Sequence, residues 1–256
     1  MSKIANAFKD GKAFIAFLTG GDPAPEKTVE YILTMEKAGA DLIEIGIPFS
    51  DPTAEGVVIQ DANIRALKAG TTTDKIFEIV KEVRKTSQIP LVFLTYLNPV
   101  FHYGYEAFFK KCKEYQVDGL IIPDLPLEEQ QPLKDALAKQ NATILIQLVA
   151  PVSDKRIPEI LKDARGFVYC VSSMGVTGQG ANFHKEVISY LKSVKEQAQI
   201  PIMMGFGIRT AADVEPMKDI IDGAIVGSHF INLMEENQYD LDVAKEYIQT
   251  FKSELK

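Results

Sequence analysis

The sequence predicts an α/β protein built as a single (β/α)8 TIM barrel, with an extra helix at the N-terminus and another after the eighth strand. Eight short apolar runs recur along the 256 residues, amphipathic stretches separate them, and glycine- and proline-rich loops follow most of them. Most runs are continuously apolar, which is typical of strands buried on both faces of a parallel sheet. Strands that alternate with helices indicate right-handed βαβ units, and eight such units fit a closed barrel.

The eight predicted strands are the apolar runs 14–18, 42–47, 91–96, 119–122, 144–149, 167–171, 202–204 and 224–226. An open doubly wound sheet is the competing architecture. Such a sheet usually has fewer strands and often a Gly-x-Gly-x-x-Gly turn after the first one, and the turn at 18–23 lacks that motif. The whole chain, 1–256, is therefore interpreted as one domain.

Apolar residues at three- and four-residue spacing predict the helices between the strands. One such set lies at 29–33 and stops at Gly39, and another lies at 76–83 after a capping Thr73. Further sets lie at 157–164, 187–194 and 243–251. The tetrapeptide 210–213 has the form of a capping box and is expected to open the helix after the seventh strand.

Composition excludes several classes of protein. Hydrophobic residues at 46% and charged residues at 25% are ordinary for a folded domain, and the net charge of −7 is spread along the chain. This balance disfavours nucleic acid or an anionic membrane as a partner, and no apolar run approaches the roughly 20 residues of a membrane span. The N-terminus has no signal-peptide core, and Cys112 and Cys170 show no paired spacing. We therefore expect a cytoplasmic protein with reduced cysteines.

The second predicted strand carries one carboxylate, Glu44, among apolar residues, and the loop that follows carries two more, Asp51 and Glu55. A charged group in an apolar strand is costly to bury, and burial raises its pKa towards neutrality. A carboxyl group of that kind suits chemistry in which one residue both gives and takes a proton. The alternatives are that Glu44 pairs with a basic residue inside the barrel and that the loop carboxylates are merely solvated.

The loops after the seventh and eighth predicted strands indicate a phosphate site. Phosphate sites in such barrels commonly use these two loops and the N-terminus of a short extra helix, where glycine N–H groups approach the anion. Gly207, Gly227 and Ser228 fit that arrangement, although these glycines could simply make tight turns. The segment 175–180 has three glycines and is interpreted as a lid, with a plain flexible loop as the alternative.

Two further observations concern catalysis and metals. Tyr169, in the sixth predicted strand, is a catalytic candidate if it faces the mouth of the barrel; ordinary core packing is the alternative. His102, His184 and His229 show no metal-ligand spacing, so no metal site is expected.

The motifs, taken together and in order, resemble the tryptophan synthase α-subunit family. The resemblance rests on the run Ile-Glu-Ile-Gly-Ile-Pro-Phe-Ser-Asp-Pro at 43–52 and on the segments 96–99, 124–126, 173–178, 205–207 and 227–228. It implies retro-aldol cleavage of indole-3-glycerol phosphate to indole and glyceraldehyde 3-phosphate. It also implies an α2β2 assembly in which indole passes to a β subunit that carries pyridoxal phosphate, with no cofactor in this chain.

The resemblance also implies roles for individual residues. Glu44 would be the general acid and base, and Glu55 would hold the indole N–H. Gly178, Gly207, Gly227 and Ser228 would bind the phosphate. The apolar slot for the indole ring would be formed by Phe17, Leu94, Tyr96 and Ile121, and Thr177 in the lid would reach the loop carboxylate.

The partner surface implied by the resemblance lies at the same end of the barrel and includes Asp51, Asn98 and Pro126. The chain departs from the family pattern at two positions: Glu55 stands where Asp is familiar, and Val57 where Pro is common. Glu is longer than Asp by one bond, roughly 1.5 Å. We expect the loop to adjust so that Glu55 keeps the role.

Two other functions remain open from the sequence. One is another phosphate-binding barrel, such as indoleglycerol-phosphate synthase, which would need a catalytic lysine at a strand end; none of the eight runs ends in lysine. The other is a catalytically silent partner that only activates a β subunit.

Overall fold

The barrel sheet is the central feature of the computed structural model, which describes residues 3–171, 181–205 and 207–255. Its strands are β1 Ala13–Thr19, β2 Leu42–Gly46, β3 Leu91–Leu94, β4 Gly119–Ile121, β5 Ile144–Leu145, β6 Gln147–Val149, β7 Val168–Val171, β8 Ile202–Gly205 and β9 Gly223–Val226. Every strand pair is parallel, and the order is β5-β4-β3-β2-β1-β9-β8-β7-β6. The predicted (β/α)8 barrel is confirmed.

The fifth predicted strand, 144–149, is divided into two short strands, and this division closes the ring. β5 pairs with β4, whereas β6 pairs with β7 on the other edge. Ile146 lies between the two halves, and its N–H still donates to the carbonyl of Leu120 at 2.9 Å. One stretch of chain therefore supplies both edges of the sheet, and the described residues form nine strands where the sequence predicts eight.

Helices surround the sheet. They are α1 Pro25–Ala38, α2 Val57–Lys68, α3 Thr73–Arg84, α4 Leu97–Tyr103, α5 Tyr105–Glu114, α6 Gln131–Gln140, α7 Ile157–Leu161, α8 Ala181–Gln197, α9 Ser228–Glu236 and α10 Leu241–Glu254. Short 3₁₀ helices occupy Lys3–Phe8, Leu127–Glu129, Pro151–Arg156, Ala211–Asp213 and Glu215–Met217. The predicted extra elements are thus present, the N-terminal one as a 3₁₀ helix and the one after the last strand as α9.

Three predicted helix boundaries needed correction. The cap of α3 is Thr72 rather than Thr73, because the Thr72 hydroxyl accepts from the Lys75 N–H at 3.3 Å. The helix predicted over 157–164 ends at Leu161. The capping box at 210–213 opens a single 3₁₀ turn, in which the Asp213 carboxylate accepts from the N–H of Thr210 at 2.8 Å.

The core has two layers. One lies between the strands and the helices and contains the outward-facing strand residues, such as Phe14, Ile43 and Phe93. The other fills the barrel interior with inward-facing residues, such as Leu42, Val92 and Ile121, and Ile4 of the N-terminal 3₁₀ helix belongs to it. Burial on both faces explains why the strands are continuously apolar. Both cysteines are buried and free, as predicted.

Candidate active site

Glu44 lies at the centre of β2 and points into the barrel interior. It pairs with Phe17 of β1 and Val92 of β3, and it is only 1% exposed. Side chains alternate along a strand, so Ile43 and Ile45 face the helices while Glu44 shares the inner face with Leu42. The strand therefore places one carboxyl group near the carboxyl end of a buried sheet, where barrel enzymes build their sites.

Burial keeps the Glu44 carboxyl group protonated at neutral pH. Loss of hydration, with a smaller contribution from the nearby charge of Glu55, raises its pKa from the ordinary 4.5 to about 8. Among the described residues, Oε2 of Glu44 has no hydrogen-bond partner and no ion pair includes this side chain. The described contacts therefore give no support to a structural ion pair, and the group is able to donate a proton.

Glu55 lies on the loop between β2 and α2 and is held by Tyr96. The Tyr96 hydroxyl donates to Oε2 of Glu55 and accepts from the Ala54 N–H at 2.8 Å. Gln60 of α2 donates its side-chain N–H to the Glu55 carbonyl at 2.8 Å. Burial raises the pKa of Glu55, and the hydrogen bond from Tyr96 opposes that rise. The pKa of Tyr96 is raised by burial and by Glu55, so the phenol stays a neutral donor.

Tyr169 projects from β7 into the barrel interior, beside both carboxylates. Burial raises its pKa well above the ordinary value, and the charges of Glu44 and Glu55 add to the rise. A Cβ on Gly205 of β8 would lie 2.5 Å from the Tyr169 ring and hydroxyl, so a glycine at this position makes room for the ring. Tyr169 is therefore both a core residue and a neutral phenol that faces the same space as the two acidic groups.

The ends of β8 and β9 offer backbone donors for an anion. Gly207 follows β8 with φ +76°, a conformation that favours glycine, and a Cβ there would meet no atom of the described residues within 4 Å. Gly227 is the N-cap residue of α9 and Ser228 is its first residue, so the first N–H groups of this helix lie just beyond the end of β9. This arrangement suits a phosphate group. Gly178 and the lid residue Thr177 lie outside the described residues.

Apolar side chains line the interior beside Glu44. Phe17 is buried with Ala62 and Ile231, and Leu94 packs against this group. Ile121 belongs to the same interior cluster as Tyr169. The four residues predicted for a flat apolar slot thus lie on β1, on β3 and its loop, and on β4. Tyr96 differs from the others because its hydroxyl is engaged by Glu55.

The residues predicted to meet a partner follow the carboxyl ends of the strands, Asp51 and Pro126 on loops and Asn98 in the first turn of α4. Asp51, Asn98 and Pro126 are all exposed. Phe101 of α4, three residues after Asn98, is 65% exposed, a large apolar side chain that sequence reasoning did not single out. The first turn of α4 is tied to the loop after β4, because Asp124 accepts from the Leu97 N–H at 2.9 Å.

Sequence reasoning also missed Gly205 and Gln60 as supports of the site. Gly205 was visible only as part of a glycine-rich turn, and its contact with Tyr169 depends on how β7 pairs with β8. Gln60 lies in α2, a helix that the sequence analysis did not predict.

The described residues offer neither a metal cluster nor a membrane span. Over 3–171, 181–205 and 207–255, no cluster of three or more His, Cys, Asp and Glu side chains could hold a metal ion. None of the helices described is both long enough and apolar enough to cross a membrane.

Comparison with known proteins points to one family. A family profile described as "Tryptophan synthase alpha chain" matches residues 4–256. A tryptophan synthase alpha chain from Lachnospira eligens is 58% identical over 95% of this chain and 93% of the relative, and one from Alkaliphilus metalliredigens is 47% identical over 94% and 92%.

Solved structures agree with the sequence comparisons. Tryptophan synthase subunit alpha from Legionella pneumophila str. Paris superposes with a TM-score of 0.90 at 33% identity, covering 100% of this chain and 98% of that one. A chain from the tryptophan synthase α2β2 complex of the hyperthermophile Pyrococcus furiosus gives a TM-score of 0.85 at 31% identity, covering 95% and 99%.

Proposed function

The chain belongs to the tryptophan synthase alpha chain family, and we propose the residues with which it performs the reaction of that family. The reaction is the retro-aldol cleavage of indole-3-glycerol phosphate to indole and glyceraldehyde 3-phosphate. The observation that carries the proposal is the position of Glu44, a buried carboxyl group with a pKa of about 8 on the inner face of β2. Glu55 is close enough to raise the pKa of Glu44, and both carboxyl groups are close enough to raise the pKa of Tyr169.

Glu44 acts as both acid and base in the proposed mechanism. In its protonated form it delivers a proton to C3 of the indole ring, which places a positive charge on the ring. The resulting carboxylate then takes the proton of the glycerol hydroxyl next to C3. The bond between C3 and the glycerol carbon breaks, its electron pair returns to the ring, and the hydroxyl becomes the aldehyde of glyceraldehyde 3-phosphate. The cycle ends with Glu44 protonated again, which a pKa near neutrality favours.

Glu55 stabilises the charge that develops on the ring. Its carboxylate accepts the indole N–H, where the positive charge of the protonated ring is concentrated. Phe17, Leu94, Tyr96 and Ile121 hold the ring between apolar surfaces, and the neutral phenol of Tyr169 lies beside the reacting carbons.

Backbone donors hold the phosphate in this proposal. The first N–H groups of α9, together with Ser228, Gly227 and Gly207, form the cradle that the structure supports, and the helix dipole favours a dianion there. Gly178 and Thr177 complete the phosphate site and the lid only as the family resemblance implies.

The partner in this proposal is a tryptophan synthase β subunit, in an α2β2 assembly like that of the P. furiosus complex, and the indole passes to it. Asp51, Asn98 and Pro126 would contact that subunit. Pyridoxal phosphate would belong to the β subunit and no cofactor to this chain. We also propose that 1–256 forms one domain and that the protein works in the cytoplasm.

Indole release tests this proposal and the silent-partner alternative together. The purified chain is expected to release indole slowly from indole-3-glycerol phosphate and faster when a β subunit is added. Glu44→Gln should reduce kcat about 10² to 10⁴-fold, the usual range for a general acid or base. Glu55→Ala should reduce it by about 10²-fold. Unchanged indole release in both variants would refute the assignments, and no release by the unaltered chain with its partner would favour a silent subunit.

A further inference from the structure

The Tyr96 hydroxyl joins two consecutive residues of the loop after β2. It accepts from the Ala54 N–H at 2.8 Å and donates to Oε2 of Glu55. One phenol therefore fixes both the backbone of the loop and the side chain that the loop presents. Since only Oε2 is taken by Tyr96, Oε1 is the oxygen left to accept an N–H from a ligand.

The position of this hydroxyl is set by the start of α4 as well as by the loop it holds. Tyr96 is the N-cap residue of α4 and is only 2% exposed. The next N–H, that of Leu97, is held by Asp124 at 2.9 Å, and the Tyr96 ring packs against Phe49 with 5.4 Å between ring centres. The β3–α4 and β4–α6 connections thus fix the backbone at Tyr96, and Phe49 of the loop after β2 packs on its ring.

We propose that Tyr96 is the positioning residue that makes Glu55 usable as the acceptor of the indole N–H. The inference rests on the proposed role of Glu55 toward the indole N–H. A Glu side chain has one more rotatable bond than Asp, so its carboxylate samples more positions. Substrate binding would have to select one of them, at a cost in conformational entropy. The hydrogen bond from Tyr96 removes that freedom before binding and orients Oε1.

The contact with Tyr96 depends on the length of the Glu55 side chain. An Asp carboxylate at position 55 would end roughly 1.5 Å short of the Glu carboxylate. It would lose the hydrogen bond from the Tyr96 hydroxyl unless the loop moved. A loop movement would stretch the 2.8 Å hydrogen bond from the Ala54 N–H to the same hydroxyl. The effects of substitutions at 96 and 55 are therefore coupled.

A double-mutant cycle with Tyr96→Phe and Glu55→Asp tests the coupling. Phenylalanine keeps the ring against Phe49 and removes only the hydroxyl. With Glu55 present, Tyr96→Phe should lower kcat/KM for indole release about 10- to 30-fold, mainly through kcat, as for a hydrogen bond to a charged group. In the Glu55→Asp background it should lower kcat/KM by about threefold or less.

A matched control is available in the same helix. The hydroxyl of Tyr103 in α4 donates to the carboxylate of Asp74 at 2.6 Å on the outside of the barrel. Tyr103→Phe therefore removes another tyrosine–carboxylate hydrogen bond from α4 without touching the site. It should leave kcat/KM within about twofold of the unaltered chain, and a loss as large as that of Tyr96→Phe would overturn the proposal.

A second measurement separates this inference from the catalytic role of Glu55. The pKa of Glu55 is read from the side-chain carboxyl carbon by NMR in the free chain. Tyr96→Phe should raise it, because the lost hydrogen bond favours the ionised form. An unmoved pKa, with equal activity losses in both backgrounds, would overturn the proposal. If the pKa rises while Glu55→Ala retains full activity, the contact stands and the catalytic assignment of Glu55 fails instead.

Discussion

Glu44→Gln should abolish a pH dependence of stability that the buried carboxyl group imposes on the unaltered protein. The pKa of Glu44 is about 8 in the folded chain against an ordinary 4.5. Between these values the folded state keeps a proton that the unfolded state releases, so stability falls as pH rises and levels off above pH 8. The two pKa values differ by about 3.5, which corresponds to about 5 kcal/mol in the free energy of unfolding, at about 1.4 kcal/mol for each pH unit.

The assay is urea unfolding of both proteins at intervals from pH 4 to pH 9. Glutamine does not titrate, so the free energy of unfolding of Glu44→Gln minus that of the unaltered chain should grow by about 3 kcal/mol between pH 5 and pH 7. Burying the amide adds a constant offset, and it leaves the slope unchanged. A difference that stays constant within about 0.5 kcal/mol over this range, with equal m values, would refute the reasoning.

Glu106→Gln provides the control. Glu106 is an exposed carboxylate that accepts from Lys139 at 2.5 Å, and that hydrogen bond lowers its pKa. The pH dependence of its contribution to stability is therefore reversed. The contribution is present above the ordinary pKa of a Glu and is lost as pH falls through the lowered pKa of the folded state. The free energy of unfolding of Glu106→Gln minus that of the unaltered chain should be small and should never rise with pH between 5 and 8.

Three further predictions concern the loop, the barrel and the partner surface. Val57→Pro should stabilise the protein by about 0.4 to 1 kcal/mol in thermal unfolding. Val57 is 71% exposed at the start of α2, and Gly56 before it has the extended backbone (ψ 172°) that a following proline requires. A lower melting temperature would contradict this. Gly205→Ala should displace the Tyr169 ring, lower the free energy of unfolding in urea by about 1 to 3 kcal/mol and reduce kcat. An unchanged kcat would show that the position of the phenol is unimportant for catalysis. Asp51→Ala should leave indole release by the isolated chain unchanged and weaken its activation by the β subunit, so full activation would remove Asp51 from the proposed interface.

The barrel could be predicted from the sequence because its signals are local. A strand buried on both faces must be apolar at successive positions, and all eight apolar runs appear as strands or as parts of strands. The loops that follow those strands could be placed at one end of the barrel for the same reason, since parallel strands end on one side. The raised pKa of Glu44 also follows from sequence, because a carboxylate within such a run has little alternative to burial.

The tertiary structure decided the features that depend on a neighbour distant in sequence. The division of the fifth strand at Ile146 is invisible in an apolar run, because it results from the two edges of the sheet meeting there. The need for Gly205 arises from the ring of Tyr169 on the next strand. Likewise, the sequence identified Tyr96 as part of an apolar slot and Glu55 as a carboxylate one bond longer than the familiar Asp. Only the packing of two loops, 41 residues apart in the chain, brought the hydroxyl and the carboxylate together.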